Sequence, residues 1–167
     1  MIYINNEPFG DKSFPNGETI FDMGVYYVKN AINVISMIYE SDADIFKLIV
    51  AKKCFDEQLK ANKVNYSFFT TSVTLTIEYM PYSRMDRQMP SMAFSLKYVA
   101  DIINSLNFDS VTILTPHSNV TPALINNVTT IYDIGVNKAY KYSSPDYVFY
   151  PDNGACKSFG EHLRYTH

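Results

Sequence analysis

Residues 73–79 read VTLTIEY, and residues 92–106, a short loop later, read MAFSLKYVADIINSL. In the first stretch Val73, Leu75, Ile77 and Tyr79 alternate with Thr74, Thr76 and Glu78. That period of two, rich in β-branched residues and stopped by Pro81, predicts a half-buried strand. In the second, Met92, Leu96, Val99, Ala100, Ile103 and Leu106 recur at helical spacing, with Ser91 placed as the N-cap. Working outward, Asp109 to Thr115 (DSVTILT) predicts another strand ended by Pro116, and Tyr147 to Tyr150 (YVFY) a further one ended by Pro151. Upstream, Asn33 to Tyr39 (NVISMIY) has strand length, and Asp44 to Ala61 places Ile45, Leu48, Ile49, Phe55 and Leu59 on one helical stripe. Strands separated by helices predict an α/β fold: a mostly parallel sheet with helices on both faces.

The chain has 167 residues, 14 Lys and Arg against 17 Asp and Glu, and a net charge of −3. With 47% hydrophobic and 15% aromatic residues it is no disordered tail, and its slight acidity gives no general electrostatic footprint for nucleic acid or an anionic membrane. The 14 Tyr and 11 Phe, which a single-strand binder would use for stacking, lack interleaved Lys and Arg and read instead as core and interface residues, Tyr26-Tyr27 and Phe68-Phe69 among them. No apolar run approaches the ~20 residues of a membrane span, and no signal segment opens the chain, so a soluble cytoplasmic protein is expected. Cys54 and Cys156 lack metal-site spacing and are expected as reduced thiols.

Ligands of open α/β sheets bind beyond the carboxyl ends of the strands. Three such segments carry chemistry: Met80-Pro81-Tyr82-Ser83-Arg84-Met85-Asp86-Arg87-Gln88, Pro116-His117-Ser118-Asn119, and Pro151-Asp152-Asn153-Gly154-Ala155. Each also has a plainer explanation. Arg84, Asp86 and Arg87 fit a solvated loop with a local ion pair, His117 a satisfied loop histidine, and Pro-Asp-Asn-Gly an ordinary turn. Taken together they fit one ligand. The arginines supply fork donors for phosphate oxygens. His117 and Asp152 form a candidate pair for a divalent ion, since Mg²⁺ takes one or two carboxylates plus substrate phosphates. The turn from Asp152 through Asn153 and Gly154 to Ala155 fits an anion-binding nest suited to pyrophosphate.

The run Pro81-Tyr82-Ser83-Arg84-Met85-Asp86-Arg87, then Pro116-His117, then Pro151-Asp152-Asn153-Gly154-Ala155, resembles the ribose-phosphate pyrophosphokinases, the phosphoribosyl pyrophosphate synthetase family, in order and spacing. Upstream, Phe14-Pro15-Asn16-Gly17-Glu18 resembles that family's Phe-x-Asp-Gly-Glu segment. The resemblance implies a type I phosphoribosyltransferase-like fold and transfer of a diphosphoryl group from Mg-ATP to ribose 5-phosphate or a related 5-phosphorylated ribose, in nucleotide or NAD metabolism. It implies ATP contacts at Arg84, Met85, Asp86 and Arg87, and His117 beside ATP and its Mg²⁺ as the catalytic histidine. It further implies Asp152 at the metal, and Phe14, Asn16 and Glu18 facing the adenine held by a neighbouring subunit, hence a homo-oligomer. Met85 stands where the family usually has Gln, and Asn16 where it has Asp. The family's plan continues past residue 167 through a mobile basic loop and an acidic Thr/Gly-rich loop that grips ribose 5-phosphate, so the expected division is a synthetase-like domain over 1–145 and the start of a truncated second domain over 146–167. Two functions follow as expectations: a diphosphokinase, incomplete as this chain, or a non-catalytic ATP-binding or regulatory subunit that co-assembles with a full-length synthetase.

Overall fold

The computed structural model describes residues 1–22, 31–62 and 71–132. The chain opens with β1 (Ile2–Ile4) and β2 (Glu7–Phe9), then β3 (Lys12–Ser13) and β4 (Thr19–Ile20), which pair with each other as a separate small hairpin. There follow β5 (Ile32–Met37), α1 (Ala43–Asn62), β6 (Ser72–Ile77), α2 (Ser95–Ser105), β7 (Ser110–Leu114), α3 (Val120–Leu124) and β8 (Val128–Ile131). The main sheet runs β2-β1-β5-β6-β7-β8. β5 to β8 are parallel neighbours in sequence order, each joined to the next through a helix, whereas β1 lies antiparallel to both β2 and β5. The architecture is therefore α/β with a mostly parallel sheet, as expected. The anticipated strand over Tyr147–Tyr150 and the domain division at 145/146 lie outside the described residues.

Register explains the alternation in the sequence. Ile2, Met37, Ile77 and Ile113 face one another across four strands, and Ile4, Ile35, Leu75 and Val111 form the next row. All eight are buried. Leu48, Ala51 and Phe55 of α1 and Leu96, Val99, Ala100 and Ile103 of α2 belong to the same core. The intervening positions Tyr3, Ser36, Thr76 and Thr112 form a row on the opposite face that is only half-buried. A strand with one dry face and one wetter face needs this apolar/polar period.

Two local features depart from the expectations. Helix α2 starts at Ser95 with Phe94 as N-cap, and Ser91 does not cap it. Residues 88–92 fold back on themselves instead: Met89 and Met92 pair as an isolated bridge, and the Gln88 amide donates to the carbonyls of both at 3.1 Å. Met92 is left exposed rather than joining the helical stripe. The second departure is the amino-terminal hairpin, absent from the strand pattern. Its two-residue turn Asn5-Asn6 has φ of 51° and 69°, the left-handed pair of a type I′ turn. Asn5 docks the turn on β5, accepting the Val34 N–H at 2.9 Å and donating to Asn33 Oδ1 at 2.8 Å. Among the described residues no helix is long and apolar enough to cross a membrane. Cys54 is a free thiol, its ionisation pushed up first by burial; Cys156 lies outside the described residues.

Candidate functional site

The loops after β5, β6 and β7 leave the same edge of the sheet, because the three strands are parallel and in register. After β6 the backbone turns sharply: Ser83 N–H donates to the Met80 carbonyl at 3.3 Å and Met85 N–H to the Tyr82 carbonyl at 2.8 Å. Tyr82 takes φ 57°, a left-handed conformation that a bulky residue rarely adopts. Beyond this turn Arg84 is exposed, Met85 half-buried, Asp86 buried and Arg87 exposed. Arg87 Nε lies 3.0 Å from Asp86 Oδ1, so the local ion pair is present, on Arg87. Among the described residues no carboxylate pairs with Arg84, which stands as an uncommitted cation.

After β7, Thr115 is also left-handed (φ 44°) and Pro116 is buried, which sets His117 in the exposed part of the loop. This loop touches the previous one through Asp86 and Ser118. Burial pushes the Asp86 carboxyl up, but the Ser118 hydroxyl and Arg87 outweigh it and hold the group below the usual carboxylate range. Ser118 Oγ is buried and stands without a partner by strict hydrogen-bond geometry, yet it is near enough to Asp86 for its turning proton to favour the charged form. Thr121 Oγ1, just inside α3, is a second buried hydroxyl without a partner among the described residues. Left-handed non-glycine residues in both loops are the kind of local strain that gathers at ligand sites.

Sequence reasoning missed the third loop. After β5, Tyr39 and, from the β6 loop, Tyr82 both donate their hydroxyls to Asp42 Oδ1, at 2.6 and 2.8 Å. These bonds hold the Asp42 carboxyl low, and the Tyr39 phenol is pushed far up, first by its bond to Asp42. Tyr39 also stacks on Tyr79, with ring centroids 6.4 Å apart and 15° between planes. The available signal was the position of Tyr39 and Tyr79 just past two strands. Nothing in the sequence pairs them with an aspartate.

The Phe14-to-Glu18 segment forms the tip of the β3–β4 hairpin. Asn16 Oδ1 accepts the Glu18 N–H at 3.1 Å, and Asn16 Nδ2 donates to Glu18 Oε2 at 2.9 Å. Gly17 has φ 89°, so glycine suits the turn. Phe14 is 52% exposed, an unusual setting for a large aromatic. The hairpin rests on the body through Phe21, 5.3 Å from Phe9 and 6.2 Å from Phe46 between ring centroids. At its base Gly10 has φ 67°, and a Cβ there would lie 3.0 Å from Phe21 and Thr19, so a side chain would be strained.

Asp152, Asn153, Gly154 and Ala155 lie outside the described residues, so the pairing of His117 with Asp152 is a matter for proposal. Among the described residues no three His, Cys, Asp or Glu side chains gather in a metal-holding group.

A mostly parallel sheet whose strand-end loops present arginine, histidine and buried hydroxyls defines an α/β protein with its candidate site at the carboxyl edge. A solved structure gives that class a closer likeness: the chain is similar to phosphoribosylpyrophosphate synthetase from Mycobacterium smegmatis, with a TM-score of 0.62 and 15% identity. The match covers 90% of this chain and 51% of that one, so the chain spans about half the length of the structure it matches. At this identity the likeness shows the fold. No family model matches the chain, and no curated protein matches it in sequence.

Proposed function

We propose that this chain carries the ATP side of a ribose-phosphate diphosphokinase, acting on ribose 5-phosphate or a related 5-phosphorylated ribose. The observation that carries the reading is Arg84. It is exposed and uncommitted among the described residues, in a strained loop beside the His117 loop, at the ligand edge of a fold similar to a synthetase. In the reaction the anomeric hydroxyl oxygen of the sugar bonds to the β-phosphorus of ATP. The bond from that phosphorus to its bridging oxygen with the α-phosphate breaks, AMP leaves, and the hydroxyl proton passes to solvent or base.

Such a transfer depends mainly on positioning and charge neutralisation. Arg84 and Arg87 hold phosphate oxygens, Met85 lines the nucleotide and Asp86 keeps the loop in place. His117 stands beside the reacting phosphates, and with Asp152 holds the Mg²⁺, which supplies charge neutralisation on the phosphates. The turn through Asp152, Asn153, Gly154 and Ala155 receives pyrophosphate oxygens. Phe14, Asn16 and Glu18 face the adenine bound by a neighbouring copy, so the working form is a homo-oligomer in the cytoplasm, with the domain boundary near residue 145.

The test is AMP release from Mg-ATP with ribose 5-phosphate or ADP-ribose as acceptor, run with and without the carboxyl-terminal half of a synthetase supplied in trans. AMP is expected in the supplemented reaction, and Arg84→Ala is expected to slow it by about a hundredfold, the scale of losing one phosphate-clamping charge. No AMP under any of these conditions rejects the enzyme. Mg-ATP binding without AMP would instead identify a non-catalytic ATP-binding or regulatory subunit.

A further inference from the structure

The segment that carries Arg84 has neighbours on both sides. On one, Asp86 is buried beside Ser118 of the next loop. On the other, Tyr82 starts the turn with its carbonyl on Met85 N–H and sends its hydroxyl 40 residues back in the chain, to Asp42 Oδ1. Asp42 is in turn held firmly. Tyr39 donates to the same oxygen, the Asp42 carbonyl accepts Ile45 N–H at 3.1 Å, and buried Asp44 accepts the N–H groups of Glu40 and Ser41 at 2.9 and 3.0 Å. A continuous line of bonds therefore runs from the start of α1 through Asp42 and Tyr82 to Met85, whose carbonyl receives Leu96 N–H of α2 at 3.3 Å.

Ordering a loop when a ligand arrives costs affinity, and a loop ordered beforehand avoids that cost. Tyr82 sits in a conformation its side chain disfavours, so something outside the turn must hold it there; its ring packs against the core, and its hydroxyl is tied to Asp42. We infer that Asp42 is a positioning residue: through the Tyr82 hydroxyl it keeps the Arg84 turn preformed for a polyphosphate. The inference rests on Arg84 as a phosphate ligand, the reading given above. Asp42 itself need not touch the ligand.

The test compares Tyr82→Phe, Asp42→Ala and Tyr39→Phe in the full chain by amide hydrogen exchange and by Mg-ATP calorimetry. Tyr39→Phe is the control, because it removes a hydroxyl from the same carboxylate oxygen without releasing the turn. Expected are about tenfold faster exchange at Met85 and about tenfold weaker Mg-ATP binding in Tyr82→Phe and Asp42→Ala, with little change in Tyr39→Phe. The double variant Asp42→Ala with Tyr82→Phe is expected to lose no more than Asp42→Ala alone, as two groups acting as one unit. Unchanged Met85 exchange overturns the inference. So does Mg-ATP binding that is equal in all three variants while Arg84→Ala weakens it, or an equal loss in Tyr39→Phe. A wild-type chain that does not bind Mg-ATP sinks the phosphate reading and the inference with it.

Discussion

Thr115 is β-branched and left-handed, a combination that places Cβ against its own carbonyl and costs about 1–2 kcal/mol. Its N–H donates to the Ile131 carbonyl at 2.7 Å, so the backbone is held by the neighbouring strand and not by side-chain preference. Replacing Thr115 by glycine should stabilise the protein by about 1 kcal/mol, read as a higher urea midpoint at constant slope. A lower midpoint would mean that the side chain has a role in the native loop. The left-handed asparagines at 5, 6, 107 and 127 differ, because asparagine tolerates that region and so marks turns in the sequence. At this scale the candidate site was partly legible. Arg84, Asp86 and His117 announce themselves as ionisable groups just past strands. Tyr39 and Asp42 do not, since the bond that gives Asp42 its place comes from a tyrosine 40 residues away.

Among the elements, α2 shows how helical spacing converts to stability. Leu96, Val99, Ala100 and Ile103 are buried in the core against the sheet. Leu96 is fully buried, so Leu96→Ala should cost about 2–5 kcal/mol in chemical denaturation through lost contacts and a cavity. A cost under about 1 kcal/mol would mean that the helix can shift to fill the space. The same periodicity that locates α2 misplaces its start. Met92 continues the stripe on paper, but the Gln88 amide ties residues 89 and 92 into a local turn that helical spacing alone does not register. Strands β1 and β2 are too short for pattern reading, with three residues each; β1 gains its place by pairing antiparallel to β5, and β2 by pairing antiparallel to β1.

For the whole molecule, acid is the informative stress. Burial, the largest influence on Asp44, pushes its carboxyl up, yet the Met1 ammonium 2.9 Å away and the N–H groups of Glu40 and Ser41 hold it below the usual range. A carboxyl lowered in the folded state contributes stability that is full above its unfolded value, near ~3.9, and is lost as pH falls toward the folded one. Stability measured from about pH 7 to about pH 3 should therefore drop below about pH 4. Asp44→Asn should lower the neutral-pH value and flatten that drop, as followed by urea midpoints across the range. An unchanged acid limb in the variant would show that Asp44 titrates alike in both states.

The sequence by itself determined the α/β class, the parallel strand–helix alternation and the loops that carry charge, because side-chain period and residue type act locally and survive without neighbours. Tertiary structure alone decided the antiparallel hairpin on β5, the burial of Asp86 beside Ser118, and the fastening of the Arg84 turn by Asp42. Each of these depends on a hydrogen bond or contact between residues far apart in the chain, and the free energy of such a contact exists only once the fold has closed the distance.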